Sequence, residues 1–308
     1  MPVEKVVVRL ANSFNVHVER HVFHPHADSV ILINGALATT ASFGQTIKYM
    51  GERYNVVCFD LPYAGQSRQH NRNSSVLTKD DEVDILLELI HRFSPAFLCS
   101  VSWGGLAALL ALSRGATSIR RATICSFSPF LNDAMVRYVT SARDLLSRSE
   151  NRLAAQLLND TVGQHLPRIV KLLNYRYLTA LPKDEVDQVA FHVDQILALE
   201  PAAYLPRLAD IRCQVKFING ALDEHTTAHD IRQILPYVKG AQFASIPNAG
   251  HFLDLEGRTQ AAAVREEILG FYGAPAAPAH APATPTSSVP SQDEQTFAAI
   301  GFNPSFGA

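Results

Sequence analysis

The sequence predicts an α/β protein: a doubly wound, mostly parallel sheet with an inserted helical cap. Three observations predict it. Short apolar runs such as Val30-Ile31-Leu32-Ile33, Val56-Val57-Cys58-Phe59 and Phe97-Leu98-Cys99 have the length and continuity of strands covered on both faces. Segments with helical periodicity separate these runs, which is the rhythm of parallel strands joined by crossover helices. That rhythm breaks from about residue 130 to 209, where leucines recur at helical spacing and no strand signal appears.

Taken in order, residues 6–9 and 16–19 read as two opening strands at an antiparallel edge, the second alternating. The run at 30–33 leads into Asn34-Gly35-Ala36-Leu37-Ala38-Thr39-Thr40, and the run at 56–59 into Asp60-Leu61-Pro62-Tyr63-Ala64-Gly65-Gln66-Ser67. Thr78-x-x-Asp81 has capping-box spacing, and Val83, Leu86, Leu87 and Ile90 then share one helical face. The strand at 96–99 turns through Ser100-Val101-Ser102-Trp103-Gly104-Gly105 into a helix marked by Leu106, Leu109 and Leu110. Ala122-Thr123-Ile124-Cys125 is the next strand. Leu145, Leu146, Leu153, Leu157 and Leu158, then Leu166, Ile169, Val170 and Leu173, then Val186, Val189, Ile196 and Leu197 mark the helical insertion.

Val215-Lys216-Phe217-Ile218 resumes the α/β pattern, followed by a helix near 228–235, a strand at 242–246 and a closing helix through Val264, Ile268, Phe271 and Tyr272. After Gly273 the composition shifts towards Ala, Pro, Thr and Ser, and Pro275 to Pro290 cannot build a core. The expected division is a core at 1–129 and 210–272, a helical cap at 130–209 and a disordered tail at 273–308.

The bulk numbers exclude several classes. With 308 residues, 47% of them hydrophobic, the chain has enough apolar material for one large α/β domain with an addition. A net charge of −2 leaves no basic excess to neutralise phosphates, which argues against nucleic acid. No apolar segment is long enough to span a bilayer, so any membrane association is peripheral at most. The start, Met1-Pro2-Val3-Glu4-Lys5-Val6, lacks the basic-then-apolar pattern of a signal peptide. The four cysteines form no C-x-x-C pair, as expected of buried thiols in a reducing cytoplasm. No metal-ligand pattern, P-loop or dinucleotide fingerprint occurs, so no cofactor is expected.

The chemistry is expected at the strand-to-helix corner. A serine hydroxyl attacks poorly until a base takes its proton and a carboxylate orients that base. Ser100-x-Ser102-x-Gly104 reads as a nucleophile elbow, with Ser where Gly is usual, and puts Ser102 at the apex. Asp223 and His251 each follow the end of a late strand, which completes the serine, acid, histidine order of the α/β-hydrolase fold. Asp230 and Glu224 compete as the acid and His225 or His229 as the base, but these lie in or beside the expected helix. The Trp103 amide and, after Gly35, the Ala36 amide are the expected oxyanion donors. Gly35, Leu37 and Trp103 are the candidate substrate-binding residues, with the Trp103 ring either lining an acyl pocket or packing.

Five segments carry a more specific resemblance: the loop from Asn34 to Phe43, Phe59-Asp60-Leu61-Pro62-Tyr63-Ala64-Gly65-Gln66-Ser67-Arg68-Gln69-His70-Asn71, Thr78-Lys79-Asp80-Asp81-Glu82-Val83, Ser102-Trp103-Gly104-Gly105 and Gly250-His251-Phe252-Leu253-Asp254-Leu255-Glu256. With Phe191-His192-x-Asp194-Gln195, they make residues 5 to 272 similar to the rhamnolipid-pathway 3-(3-hydroxyalkanoyloxy)alkanoic acid synthases. That resemblance implies a cytoplasmic acyltransferase that joins two (R)-3-hydroxyacyl groups, delivered on acyl carrier protein or coenzyme A, through a Ser102 acyl-enzyme. Two rivals remain open: a serine esterase or thioesterase, and a non-catalytic lipid-binding module.

Overall fold

The computed structural model describes residues 3–71 and 76–274. Of the tail expected at 273–308, Gly273 instead ends a helix, and residues from 275 onward lie outside the described residues. Strands β1 (Val3–Arg9), β2 (Asn15–His21), β3 (Ser29–Ile33), β4 (Asn55–Phe59), β5 (Phe97–Val101), β6 (Arg121–Cys125), β7 (Gln214–Gly220) and β8 (Gln242–Ile246) form one sheet in the order β1-β2-β4-β3-β5-β6-β7-β8. The β1–β2 and β2–β4 pairs are antiparallel and the remaining five pairs are parallel. β1 and β2 therefore form the antiparallel edge read from the sequence.

Burial on both faces explains the unbroken apolar runs. In β3, Ile31 and Ile33 enter the core under α2 (Lys79–Phe93) and α3 (Gly104–Ser113). The alternate residues Val30 and Leu32 enter the opposite core, under α1 (Gly44–Met50) and α10 (Arg258–Gly273). Each such side chain contributes about 1.5–3 kcal/mol when fully buried. Helix α3 is buried from Gly104 through Leu112, so it has no polar face and needs cover all round. Helix α2 begins with the Thr78 capping box, with Thr78 and Asp81 each bonding the other's backbone amide. The sheet is clamped to α10 by Tyr272, whose hydroxyl donates to the Leu98 carbonyl at 2.6 Å, while Arg121 satisfies the carbonyls of Phe271 and Tyr272.

Between β6 and β7 the described chain is helical: α4 (Asp133–Ser147), α5 (Asn151–Asp160), α6 (Arg168–Thr179), α7 (Lys183–Leu197) and α8 (Pro201–Tyr204), with a final 3-10 turn over Leu205–Asp210. These helices own a small core of Leu146, Ala154, Ala155, Leu178, Leu181, Val186 and Val189. Not every periodic position points inward: Leu153, Ile169 and Leu173 are 50%, 62% and 55% exposed. The short helix expected near 228–235 is α9, Ala228–Arg232, followed by a 3-10 turn at Leu235–Tyr237. Cys58, Cys99, Cys125 and Cys213 are all free thiols. No helix among the described residues is long and apolar enough to cross a membrane.

Candidate active site

The site is built where β5 turns into α3. Ser102 has φ +50, a left-handed conformation that costs a non-glycine residue energy and lifts its side chain clear of the turn. The turn is held by Ser102 N–H donating to the Cys125 carbonyl at 2.8 Å and Gly105 N–H donating to the Ser102 carbonyl at 2.8 Å. The adjacent glycines are needed for space. A Cβ on Gly104 would fall 2.5 Å from the Asn34 carbonyl oxygen, and one on Gly105 2.6 Å from the Phe127 ring. Ser100 sits inside β5, fully buried, and its hydroxyl has no hydrogen-bond partner among the described residues.

Two loops bring the other side chains to Ser102. The loop after β7 carries Asp223 and the loop after β8 carries His251, and both residues are buried. His251 Nε2 lies 2.9 Å from Ser102 Oγ, and His251 Nδ1 lies 2.8 Å from Asp223 Oδ2. Asp223 Oδ1 also accepts from the amides of His225 at 2.9 Å and Thr226 at 3.1 Å, and Oδ2 accepts from the Thr226 hydroxyl. Burial opposes ionisation of Asp223, but the His251 charge and ring hydrogen bond, with the Thr226 and His225 donors, outweigh it. Its pKa therefore falls well below the ordinary carboxyl range.

The competing residues serve the scaffold. Asp230 Oδ2 caps α9 through Thr227 and accepts from Asn132 Nδ2 at 2.9 Å. His225 is buried against the Tyr138 ring, and its Nδ1 stays 3.9 Å from Asp223 Oδ1. Among the described residues Ser102 Oγ is hydrogen-bonded to His251, and to neither Glu224 nor His229.

Several residues that hold these loops were not singled out by sequence reasoning. Glu256 accepts from the Gly250 amide at 2.6 Å and the Phe252 amide at 3.0 Å, so one carboxylate grips His251 from both sides. Ser126 donates to the His251 carbonyl at 2.6 Å. Asn219 donates to the carbonyls of Thr226 at 2.7 Å and Phe127 at 3.1 Å and so ties down the Asp223 loop. Gly220 must lack a side chain because the Gly250 carbonyl packs directly against it. Glu256 ends the Gly250–Glu256 segment quoted for the resemblance, without a role assigned there; Asn219 and Ser126 offered no signal.

The loop after β3 closes the remaining side. Gly35 packs against the elbow, where an added Cβ would lie 3.2 Å from Ser102 Cβ. The N–H groups of Ala36 and Trp103 have no protein acceptor among the described residues. Asp60, 1% exposed, accepts from the Thr40 amide at 2.7 Å and the Gln66 amide at 2.8 Å. That pair fixes the loop and explains the Asp in the motif after β4. Leu37, with φ +57, packs against the helical core.

The Trp103 indole lies between Lys79 Nζ, 4.9 Å from the ring centroid, and His192, 5.7 Å between centroids. Lys79 pairs with Glu82 at 2.5 Å, and His192 Nε2 lies 2.7 Å from the Leu77 carbonyl. Burial lowers the pKa of both Lys79 and His192, and Glu82 opposes the shift in each case. The two motifs that flank the site, at 78–83 and 191–195, thus meet behind Trp103.

A serine at a strained strand-to-helix turn, joined to a histidine and a buried carboxylate from the loops after β8 and β7, coincides with a family pattern: residues 30–267 match the Alpha/beta hydrolase family. The chain belongs to that family. At 40% identity over 268 residues, 87% of this chain and 89% of the relative, it is similar to the "(R)-3-hydroxydecanoyl-ACP:CoA transacylase" of Pseudomonas aeruginosa. A protein of the same name from Pseudomonas putida is also 40% identical, over 87% of this chain and 91% of the relative. Among solved structures, a hydrolase from Pseudomonas aeruginosa superposes with a TM-score of 0.72 at 17% identity, covering 88% of this chain and 99% of that one. The enol-lactonase of Burkholderia xenovorans gives 0.68 at 16% identity, with 87% and 99% covered. Similarity at that level concerns the fold.

Proposed function

We propose that the chain is a serine-dependent acyltransferase that joins two (R)-3-hydroxyacyl groups by an ester bond. The observation that carries this is the Ser102–His251–Asp223 hydrogen-bonded chain, at 2.9 and 2.8 Å, in a protein 40% identical to hydroxyacyl transacylases. In this reading His251 takes the Ser102 proton as the hydroxyl attacks the first thioester carbonyl. Asp223 holds the imidazole in the productive tautomer and stabilises its charge. The amides of Ala36 and Trp103 receive the oxyanion. The carrier thiol then leaves with the proton from His251. The 3-hydroxyl of a second hydroxyacyl unit loses its proton to the freed base and attacks the acyl-enzyme, forming the ester and regenerating Ser102.

Water competes for the same acyl-enzyme, so transfer requires a dry site. The helices inserted between β6 and β7 are the proposed cap over residues 130–209, with the core at 1–129 and 210–272. Leu37 packing on the helical core supports that placement. Carrier-protein and CoA thioesters are cytoplasmic metabolites, which fits a cytoplasmic enzyme supplying the lipid moiety of rhamnolipids. No step in this scheme requires a metal or cofactor.

The name of the Pseudomonas relatives points to a second acceptor, the thiol of coenzyme A, for the same acyl-enzyme. Supplying (R)-3-hydroxydecanoyl carrier protein with and without CoA separates the readings by mass spectrometry of the products. Ester-linked dimer without CoA is expected. Free hydroxy acid alone would make the protein a thioesterase, and hydroxydecanoyl-CoA alone a transacylase.

A further inference from the structure

Helix α6 turns an unusual face to solvent. Ile169, Leu172, Leu173 and Tyr177 are 62%, 44%, 55% and 38% exposed, and Arg168 and Arg176 share that face. At 100° per residue these six positions fall on one half of the helix, while Leu178 points into the helical core. The sequence RIVKLLNYRYLT contains no acidic residue. Elsewhere Arg68, Arg114, Arg120, Arg143 and Arg265 each hold a carboxylate. The guanidinium groups of Arg168 and Arg176 hold none among the described residues.

The face begins beside the site. His165, three residues before α6, packs against Gly250, where an added Cβ would meet its ring at 2.5 Å. Gly250 immediately precedes His251, so the start of α6 lies at the rim of the reacting groups.

Three kinds of occupant suit exposed apolar residues, and the charge pattern selects one. A helix lying in a membrane surface keeps its basic residues on the side opposite the apolar ones. Here Arg176 falls between Leu172 and Ile169 on the helical wheel, in the middle of the apolar face. A second copy of the chain in a two-fold interface would bring the same arginines together. An acidic protein surface satisfies both features, because large apolar side chains with arginines among them have the composition of interface centres.

We propose that this α6 face docks the acidic acyl carrier protein that delivers the thioester to Ser102. The proposal rests on the acyl-transfer reading above. The carrier's flexible pantetheine arm then needs to cross only the rim at His165 and Gly250 to place its thioester at the serine.

The test compares two donors of the same (R)-3-hydroxydecanoyl group, one on carrier protein and one on N-acetylcysteamine, a neutral fragment of the arm. For Arg168→Glu/Arg176→Glu, kcat/KM with the carrier-protein donor is expected to fall about tenfold or more, mainly through KM. The wild-type advantage of that donor should also shrink as salt is raised. Turnover of the fragment should stay within about twofold, since both positions are exposed. The single variant Leu173→Ser should move the same ratio in the same direction. Unchanged carrier-protein kinetics would overturn the proposal, and so would an equal fall with both donors. Binding of the wild type, but not the double variant, to anionic phosphatidylglycerol vesicles, with carrier kinetics intact, would assign the face to a membrane instead. If the wild type turns over neither donor, the acyl-transfer reading itself fails.

Discussion

At Ser102 the backbone is bent into a left-handed conformation that only the surrounding contacts sustain, and the proposed chemistry depends on that bend. Ser102→Ala is expected to lower turnover by about 10⁴-fold or more, as removal of a nucleophile does in comparable triads, with no acyl adduct in the intact mass. Ser100→Ala should retain activity, because its hydroxyl has no partner to lose. Equal loss in both variants would mean that the elbow has been read in the wrong frame. Asp223→Asn keeps the shape but favours the wrong tautomer of His251, and a fall of about 10⁴-fold in kcat is expected. The same residue bears on acid stability. Its depressed pKa means that the folded state binds its proton less readily than the unfolded chain. Its stabilisation is therefore complete above the ordinary value of about 3.9 and is lost as the pH falls from there toward the native value. Urea midpoints of wild type and Asp223→Asn should converge on acidification below about pH 4; a gap that is constant with pH would contradict this. The choice of Asp223 over Asp230 was legible because loop position differs from helix-cap position in the sequence itself.

Elements were legible in proportion to how local their causes are. Strands β3, β4 and β5 announced themselves through burial on both faces, and α2 through its own capping box. The junction between α2 and α7 was not legible, because its partners are 111 positions apart. There Gln188 accepts from the Leu77 amide at 2.9 Å and donates to the Leu77 carbonyl at 2.7 Å, pairing with the backbone as a neighbouring strand would. Gln188→Ala leaves the Leu77 amide without that acceptor, while the carbonyl keeps His192, at a cost of about 1–3 kcal/mol. For a domain of this size that is a loss of roughly 2–4 °C in Tm per kcal/mol. A thermal scan that shows no shift would mean that water replaces the amide. Periodicity likewise placed Ile169 and Leu173 at helical spacing but could not say which way their face points. The structure turns it outward.

For the whole molecule, the division of labour between sheet loops and inserted helices sets the expectation for chain length. In the proposed mechanism the loops after β3, β7 and β8 carry the groups that serve Ser102, so a long acyl chain needs apolar surface from elsewhere, which we assign to the inserted helices. Each buried methylene is worth about 0.8 kcal/mol, so a pocket longer by one or two carbons shifts preference by roughly tenfold. Replacing residues 130–209 with the segment of a relative that makes shorter products should shorten the ester-linked dimers while Ser102 still forms its adduct. An active chimera with an unchanged mass distribution would assign length to the loops or to precursor supply.

Asp60 has a consequence in the time domain. One buried carboxylate holds the amides of Thr40 and Gln66, which belong to loops after two different strands. Both amides stay hydrogen-bonded while the carboxylate is in place, and its movement releases both. The two protons should therefore exchange with deuterium at a common rate set by a single opening event. In Asp60→Asn, with one acceptor oxygen replaced by a donor, the pair should separate into a protected and an unprotected amide. Independent exchange in the wild type would mean that the two loops breathe separately.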